Sequence, residues 1–175
     1  MAETDEALSY LTTGNDYFDV GHYNEAIAEY KKATEISPDY VDAYYNWGLA
    51  LQNQNLYSEA ISQYRKAIEL EPGYALAYYR WGNALFDQKL YSEAIGQYQK
   101  ATELNPDNAF AYYFWGLALH NQKLYPEAIE KYLKFIEKKP DYADAYYSWG
   151  NALFYQKLYS EAIGQYQKAT ELNPD

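Results

Sequence analysis

Residues 78–91 read YYRWGNALFDQKLY, and residues 146–159 read YYSWGNALFYQKLY. Twelve of the fourteen positions agree across an interval of 68 residues, with Arg80 becoming Ser148 and Asp87 becoming Tyr155. A match this close, this far apart, marks an internal repeat, and the period decides the fold. It is half the interval: Trp47, Trp81, Trp115 and Trp149 fall 34 residues apart. Gly14, Gly48, Gly82, Gly116 and Gly150 keep the same step, as do Pro38, Pro72, Pro106, Pro140 and Pro174. Tyr23 and Ala26 each begin a further series in that register. The repeats run 7–40, 41–74, 75–108, 109–142 and 143–175, after a short acidic lead at 1–6.

Each repeat reads as two helices. In the third, the first helix covers roughly 76–88, with Tyr78, Trp81 and Leu85 on one face. The second covers roughly 92–104, with Tyr91, Ile95, Tyr98 and Ala101 as its apolar stripe. Ser92 and Ser160 are expected to cap that helix, and Pro126 in the equivalent place suits a first turn. Asn-Pro-Asp at 105–107 ends it, because proline cannot continue the hydrogen-bond ladder. Gly96 and Gly164 sit mid-helix, each weakening its helix by about 1 kcal/mol relative to alanine. One hairpin cannot bury its own apolar face, but a stack of hairpins can.

This helix–turn–helix pattern, with W-G-x-A-L, then Y-x-E-A-I, then a closing proline, resembles the tetratricopeptide repeat family over residues 7–175. The resemblance implies an all-α fold: an α-solenoid of antiparallel helix pairs forming a right-handed superhelix. The family's glycine at the turn between helices is present only as Gly21; Asn55, Lys89, Lys123 and Lys157 replace it. Those four are expected in the left-handed conformation, at modest cost.

In such arrays the first helices line a concave groove with the second, fifth, sixth, ninth, twelfth and thirteenth residues of each repeat. Repeats three and five are identical at 30 of 33 aligned positions, differing at Leu76/Asp144, Arg80/Ser148 and Asp87/Tyr155. At about 100° per residue these three lie within roughly 40° of one another, on one stripe of the first helix. Two readings of that restriction stay open: a scaffold held constant beneath a varied recognition surface, or a recent duplication that has drifted at exposed positions. The implied groove residues are Asn15, Phe18, Tyr45, Asn46, Leu49, Tyr79, Arg80, Asn83 and Phe86, followed by Asp87, Tyr113, Phe114, Leu117, His120, Tyr147, Asn151 and Tyr155. Leu11 begins the same lining. In each YY pair the first tyrosine (Tyr44, Tyr78, Tyr112, Tyr146) is expected to pack between helices and the second to meet solvent.

Rings mixed with amides suit a protein partner, an extended peptide or a short helix. The carboxylate-holding pattern of chaperone-binding relatives is met at Asn15, Asn46 and Arg80. Leu11 and Leu76 stand at its lysine positions, which removes most of the positive charge. A net charge of −11 opposes binding to nucleic acid or to an anionic membrane. The chain has no cysteine, and no cofactor or metal motif appears. Nearly all residues belong to repeats, so no catalytic domain is expected. Neither a secretory leader nor a membrane span is visible, which points to the cytoplasm. The alternative function is a scaffold that self-associates end to end. Its motive is the last helix, where Ile163 and Tyr166 would leave packing surface uncovered.

Overall fold

The computed structural model describes residues 2–174. Among these, all regular structure is α-helical. The chain divides into two compact units, one ending at Gln88 and the other beginning at Lys89. The first holds α1 (Ala2–Asp19), α2 (Tyr23–Ile36), α3 (Val41–Asn53), α4 (Tyr57–Leu70) and α5 (Ala75–Asp87). The second holds α6 (Tyr91–Leu104), α7 (Ala109–Asn121), α8 (Tyr125–Lys138), α9 (Ala143–Tyr155) and α10 (Tyr159–Leu172). Within each unit every helix packs on the next, and alternate first helices also touch (α1 on α3, α3 on α5, α7 on α9). α1 begins within the acidic lead.

The repeated glycines explain the closeness of each pair. A Cβ placed on Gly14, Gly48, Gly116 or Gly150 would stand 2.5 Å from the ring of Tyr30, Tyr64, Tyr132 or Tyr166 respectively. The first helix therefore presents bare backbone where the second inserts a tyrosine ring. Tyr30, Tyr64 and Tyr132 are fully buried in that position. Alanines complete the contact, with Ala26, Ala33, Ala60 and Ala67 at the centre of the first core and Ala128, Ala145 and Ala152 in the second. Phe135 stands where the other repeats have alanine. It is fully buried against the rings of Phe110, Tyr113 and Tyr142, at 5.5, 5.1 and 5.1 Å.

The turns between paired helices take the left-handed residue expected of them. Asn55, Lys89, Lys123 and Lys157 have φ of 62°, 61°, 63° and 66°. The next amide reaches back five residues, Leu56 N–H to Leu51 C=O at 3.0 Å and Leu124 N–H to Leu119 C=O at 3.0 Å. That bond satisfies a carbonyl the helix end leaves open. The serine caps are a correction. Leu90 and Leu158 are the N-caps, with no side-chain cap bond, and their carbonyls accept from Ala94 and Ala162 at 3.0 Å. The turn returns the chain to helical geometry two residues before Ser92 and Ser160 could cap it. Pro126 does lie in the first turn of α8.

Candidate functional site: the face of the first helices

The tyrosine pairs place the site, and at Tyr45, Tyr79 and Tyr113 they reverse the expected solvent contact, which holds at Tyr147. The second tyrosine is the buried one: Tyr45, Tyr79 and Tyr113 are each 9% exposed. Leu11, at the same register, is buried too. The cause is the packing of successive rings. Tyr45 lies 6.1 Å from Tyr64 of its own pair and 5.2 Å from Tyr74, which leads into α5. Tyr113 meets Tyr132, Phe135 and Tyr142 at 6.1, 5.1 and 5.6 Å. Tyr147, on α9, touches Tyr166 at 5.6 Å and is 56% exposed. The first tyrosines of the pairs are half-buried at Tyr44, Tyr78 and Tyr146, while Tyr112 is buried.

In the first unit a cleft of about 290 Å³ opens on this face, lined by Asn15, Phe18, Asp19, Tyr30, Asn46 and Leu49. Asn15 organises it. Its Oδ1 accepts from the Tyr30 hydroxyl at 2.9 Å and from Asn46 Nδ2 at 3.0 Å. One pair further on, Gln52 takes over from asparagine: its Oε1 accepts from the Tyr64 hydroxyl at 2.8 Å. Gln52 also hydrogen-bonds Asp87, while burial pushes that carboxyl above the usual carboxylate range. Arg80 donates to Tyr45 and lies 5.4 Å over the Tyr79 ring, leaving its buried Nε without a partner. Asn83 is buried, and Phe86 is half-buried.

The second unit presents a different face. The Ser148 and Tyr113 hydroxyls are 3.3 Å apart. Position six thus ties one pair to the tyrosine of the pair before it, through Arg80 in one unit and Ser148 in the other. The variable stripe read as recognition surface therefore also carries bonds between repeats. His120 is edge-on to Tyr125 at 5.2 Å and to Tyr155 at 5.5 Å, and those two rings stack at 5.3 Å. Burial lowers the pKa of His120, so it is neutral at pH 7. Asn151 accepts from the Tyr166 hydroxyl at 2.9 Å. Phe114 and Leu117 are half-buried, and Phe154 and Tyr155 are exposed.

Sequence reasoning passed over Gln52 and the hydroxyls of Tyr30, Tyr64 and Tyr132. A signal existed: Asn15 and Asn151 alternate with Leu49 and Leu117, while Gln52 and His120 alternate with phenylalanine. At Tyr30, Tyr64 and Tyr166 the alternation follows which residue of the first helix reaches the tyrosine hydroxyl. Among the described residues no cluster of three metal-ligating side chains occurs, and no helix is long and apolar enough to cross a membrane.

Paired helices of this geometry, locked glycine to tyrosine at a fixed period, invite comparison with known repeats. A sequence model described as TPR repeat matches residues 14–55, 82–123 and 116–157. A second, described as tetratricopeptide repeat, matches residues 41–74 and 143–175. The chain belongs to the tetratricopeptide repeat family. Among solved structures, a crystal structure of MamA protein is 33% identical, covers 99% of this chain and 94% of its own, and has a TM-score of 0.90. YrrB, described as a TPR protein with an unusual peptide-binding site, is 28% identical over 97% of this chain and 87% of its own, with a TM-score of 0.83. Residues 41-end of MamA from Desulfovibrio magneticus RS-1 are 25% identical over 97% of this chain and 96% of that one, at 0.91. No curated protein matches the sequence. This tetratricopeptide chain is accordingly an interaction module in fold and family.

Proposed function

We propose that the first-helix face holds a segment of a partner protein, an extended peptide or a short helix, and that the chain acts by binding rather than by catalysis. The observation that carries this reading is the cleft around Asn15, Asn46 and Leu49. It combines apolar surface with amide groups held in place by the bonds to Asn15. Pre-set amides meet peptide backbone groups with little further ordering, which is where weak peptide interfaces lose affinity. YrrB, a structural neighbour described by its peptide-binding site, supports the same reading. The test is selection from a displayed random-peptide library. Leu49→Arg places a bulky charge in the cleft and should weaken the selected peptides at least about tenfold, with the helical signal unchanged. Equal binding by the variant would refute the proposal.

One observation favours a second reading, self-association. On the α9–α10 pair Ile163 is 55% exposed, and Tyr147 is 56% exposed in a cleft it shares with Ala143, Tyr166 and Ala169 and with the polar Asp144, Thr170 and Asn173. A second copy stacked there would cover both. A molar mass that stays constant across a light-scattering dilution series would rule it out.

A further inference from the structure

Tyr30, Tyr64, Tyr132 and Tyr166 occupy one register, each against the glycine of its partner helix. At three of them the chain supplies the hydroxyl with a carboxamide oxygen: Asn15 Oδ1 at 2.9 Å, Gln52 Oε1 at 2.8 Å and Asn151 Oδ1 at 2.9 Å. Tyr132 is fully buried, and its hydroxyl has no partner. The reason lies in α7. Leu117 stands at the register of Asn15 and Asn151, and His120 at the register of Gln52. The His120 ring leans instead on Tyr125 and Tyr155, and its Nδ1 is also buried without a partner. The indole N–H groups of Trp47, Trp81, Trp115 and Trp149 lack partners as well, but they do so in every repeat that carries one. Tyr132 departs from the rule of its own register.

We propose that the α7–α8 pair forms a subsite for a primary carboxamide, the side chain of an asparagine or glutamine in the bound peptide. Its oxygen accepts from the Tyr132 hydroxyl, and its NH₂ donates to Nδ1 of His120. The inference rests on the peptide reading above and specifies one side chain within it. The chemistry comes from the sister repeats, which fill the same position with a carboxamide of their own. Gln52 and Tyr64 hydrogen-bond directly, so the registers that His120 and Tyr132 occupy are neighbours across the helix pair. A neutral imidazole, which burial favours here, keeps an acceptor nitrogen. A carboxylate is a poor occupant: Phe114 and Ser148 hold the register at which the first unit has Arg80, so that register supplies no cation. His120 and Leu117 are half-buried, so a ligand reaches the Tyr132 hydroxyl only if the imidazole turns off the exposed Tyr155 ring.

The probe is propanamide, titrated into protein labelled with ¹⁵N-histidine, with propanoate as the control. The His120 nitrogens should shift saturably with the amide and not with the acid, while His22, exposed in the α1–α2 turn, stays unmoved. Tyr132→Phe should weaken the amide at least about tenfold, the worth of a buried hydrogen bond lost from one partner. His120→Gln should abolish its binding, read from the Tyr132 ring signals, because the new side chain supplies the carboxamide internally. No saturable shift, or the same affinity in Tyr132→Phe, overturns the proposal and leaves the hydroxyl to a water molecule. Library selection separates the two readings. Peptides that bind without enrichment of asparagine or glutamine sink the subsite alone. Failure to select any peptide sinks the groove, and the amide titration still decides the subsite.

Discussion

Tyr64→Phe and Tyr132→Phe are the same substitution made 68 residues apart in sister repeats, and their effects should have opposite signs. Both rings are fully buried against a glycine, so removing the oxygen leaves the packing intact. Burial also pushes both phenols well above their ordinary pKa, so both are neutral at any working pH. At Tyr64 the change deletes a 2.8 Å bond to Gln52. A net hydrogen bond is worth about 1 kcal/mol, and half-buried Gln52 can recover part of it from water. At Tyr132 the change deletes a hydroxyl that has no partner, and relieving such a group is worth about 1–3 kcal/mol. The two variants should therefore differ by roughly 2–4 kcal/mol, with wild type between them. In urea, with a slope of about 2 kcal/mol per molar, the midpoints should lie about 1–2 M apart. Repeat arrays unfold less cooperatively than compact domains, so equal slopes must be confirmed before the midpoints are compared. If Tyr132→Phe destabilises as much as Tyr64→Phe, the Tyr132 hydroxyl has a partner in solution and the reasoning fails.

Glycines give a second contrast: Gly48→Ala drives a methyl into the Tyr64 ring and should cost about 1–3 kcal/mol. Gly164→Ala meets open space within α10 and should gain up to about 1 kcal/mol, both read by thermal melts. Lys123 holds a φ of 63° that glycine adopts freely, so Lys123→Gly should raise the melting temperature slightly, by up to about 3 °C, whereas Lys123→Ala should not. His120 titrates below its ordinary value in the folded chain, so the unfolded chain takes up the proton first as pH falls. Wild type should lose stability relative to His120→Gln as pH falls below about 6.5, and parallel urea midpoints from pH 7 to 5 would contradict this.

The period, the helix pairs and the left-handed turns were legible in the sequence because the same contact is made over and over. Gly48 must face Tyr64, and Asn55 must reverse the chain, in every copy. Burial within the YY pairs was not legible. Adjacent helical residues point about 100° apart, and either can face the core. What decides between Tyr44 and Tyr45 is Tyr74, which leads into the next first helix, a contact no local pattern encodes. The role of asparagine was hidden for a similar reason. Asn15 read as a groove amide for a ligand, yet its oxygen is already shared by Tyr30 and Asn46. Only the alternation of asparagine with leucine hinted that the side chain answers a tyrosine on the paired helix. Ser92 misled as a cap because the turn, set by Lys89 and closed at Leu90, fixes the helix start earlier.

The central claim is that a partner is gripped by the first helix of each pair. Amide chemical-shift mapping of a library-selected peptide tests it without altering the protein. The account predicts that shifts cluster on α1, α3, α5, α7 and α9, strongest around Asn15, Asn46 and Leu49 and around His120. Shifts confined to α2, α4, α6, α8 and α10 would contradict it.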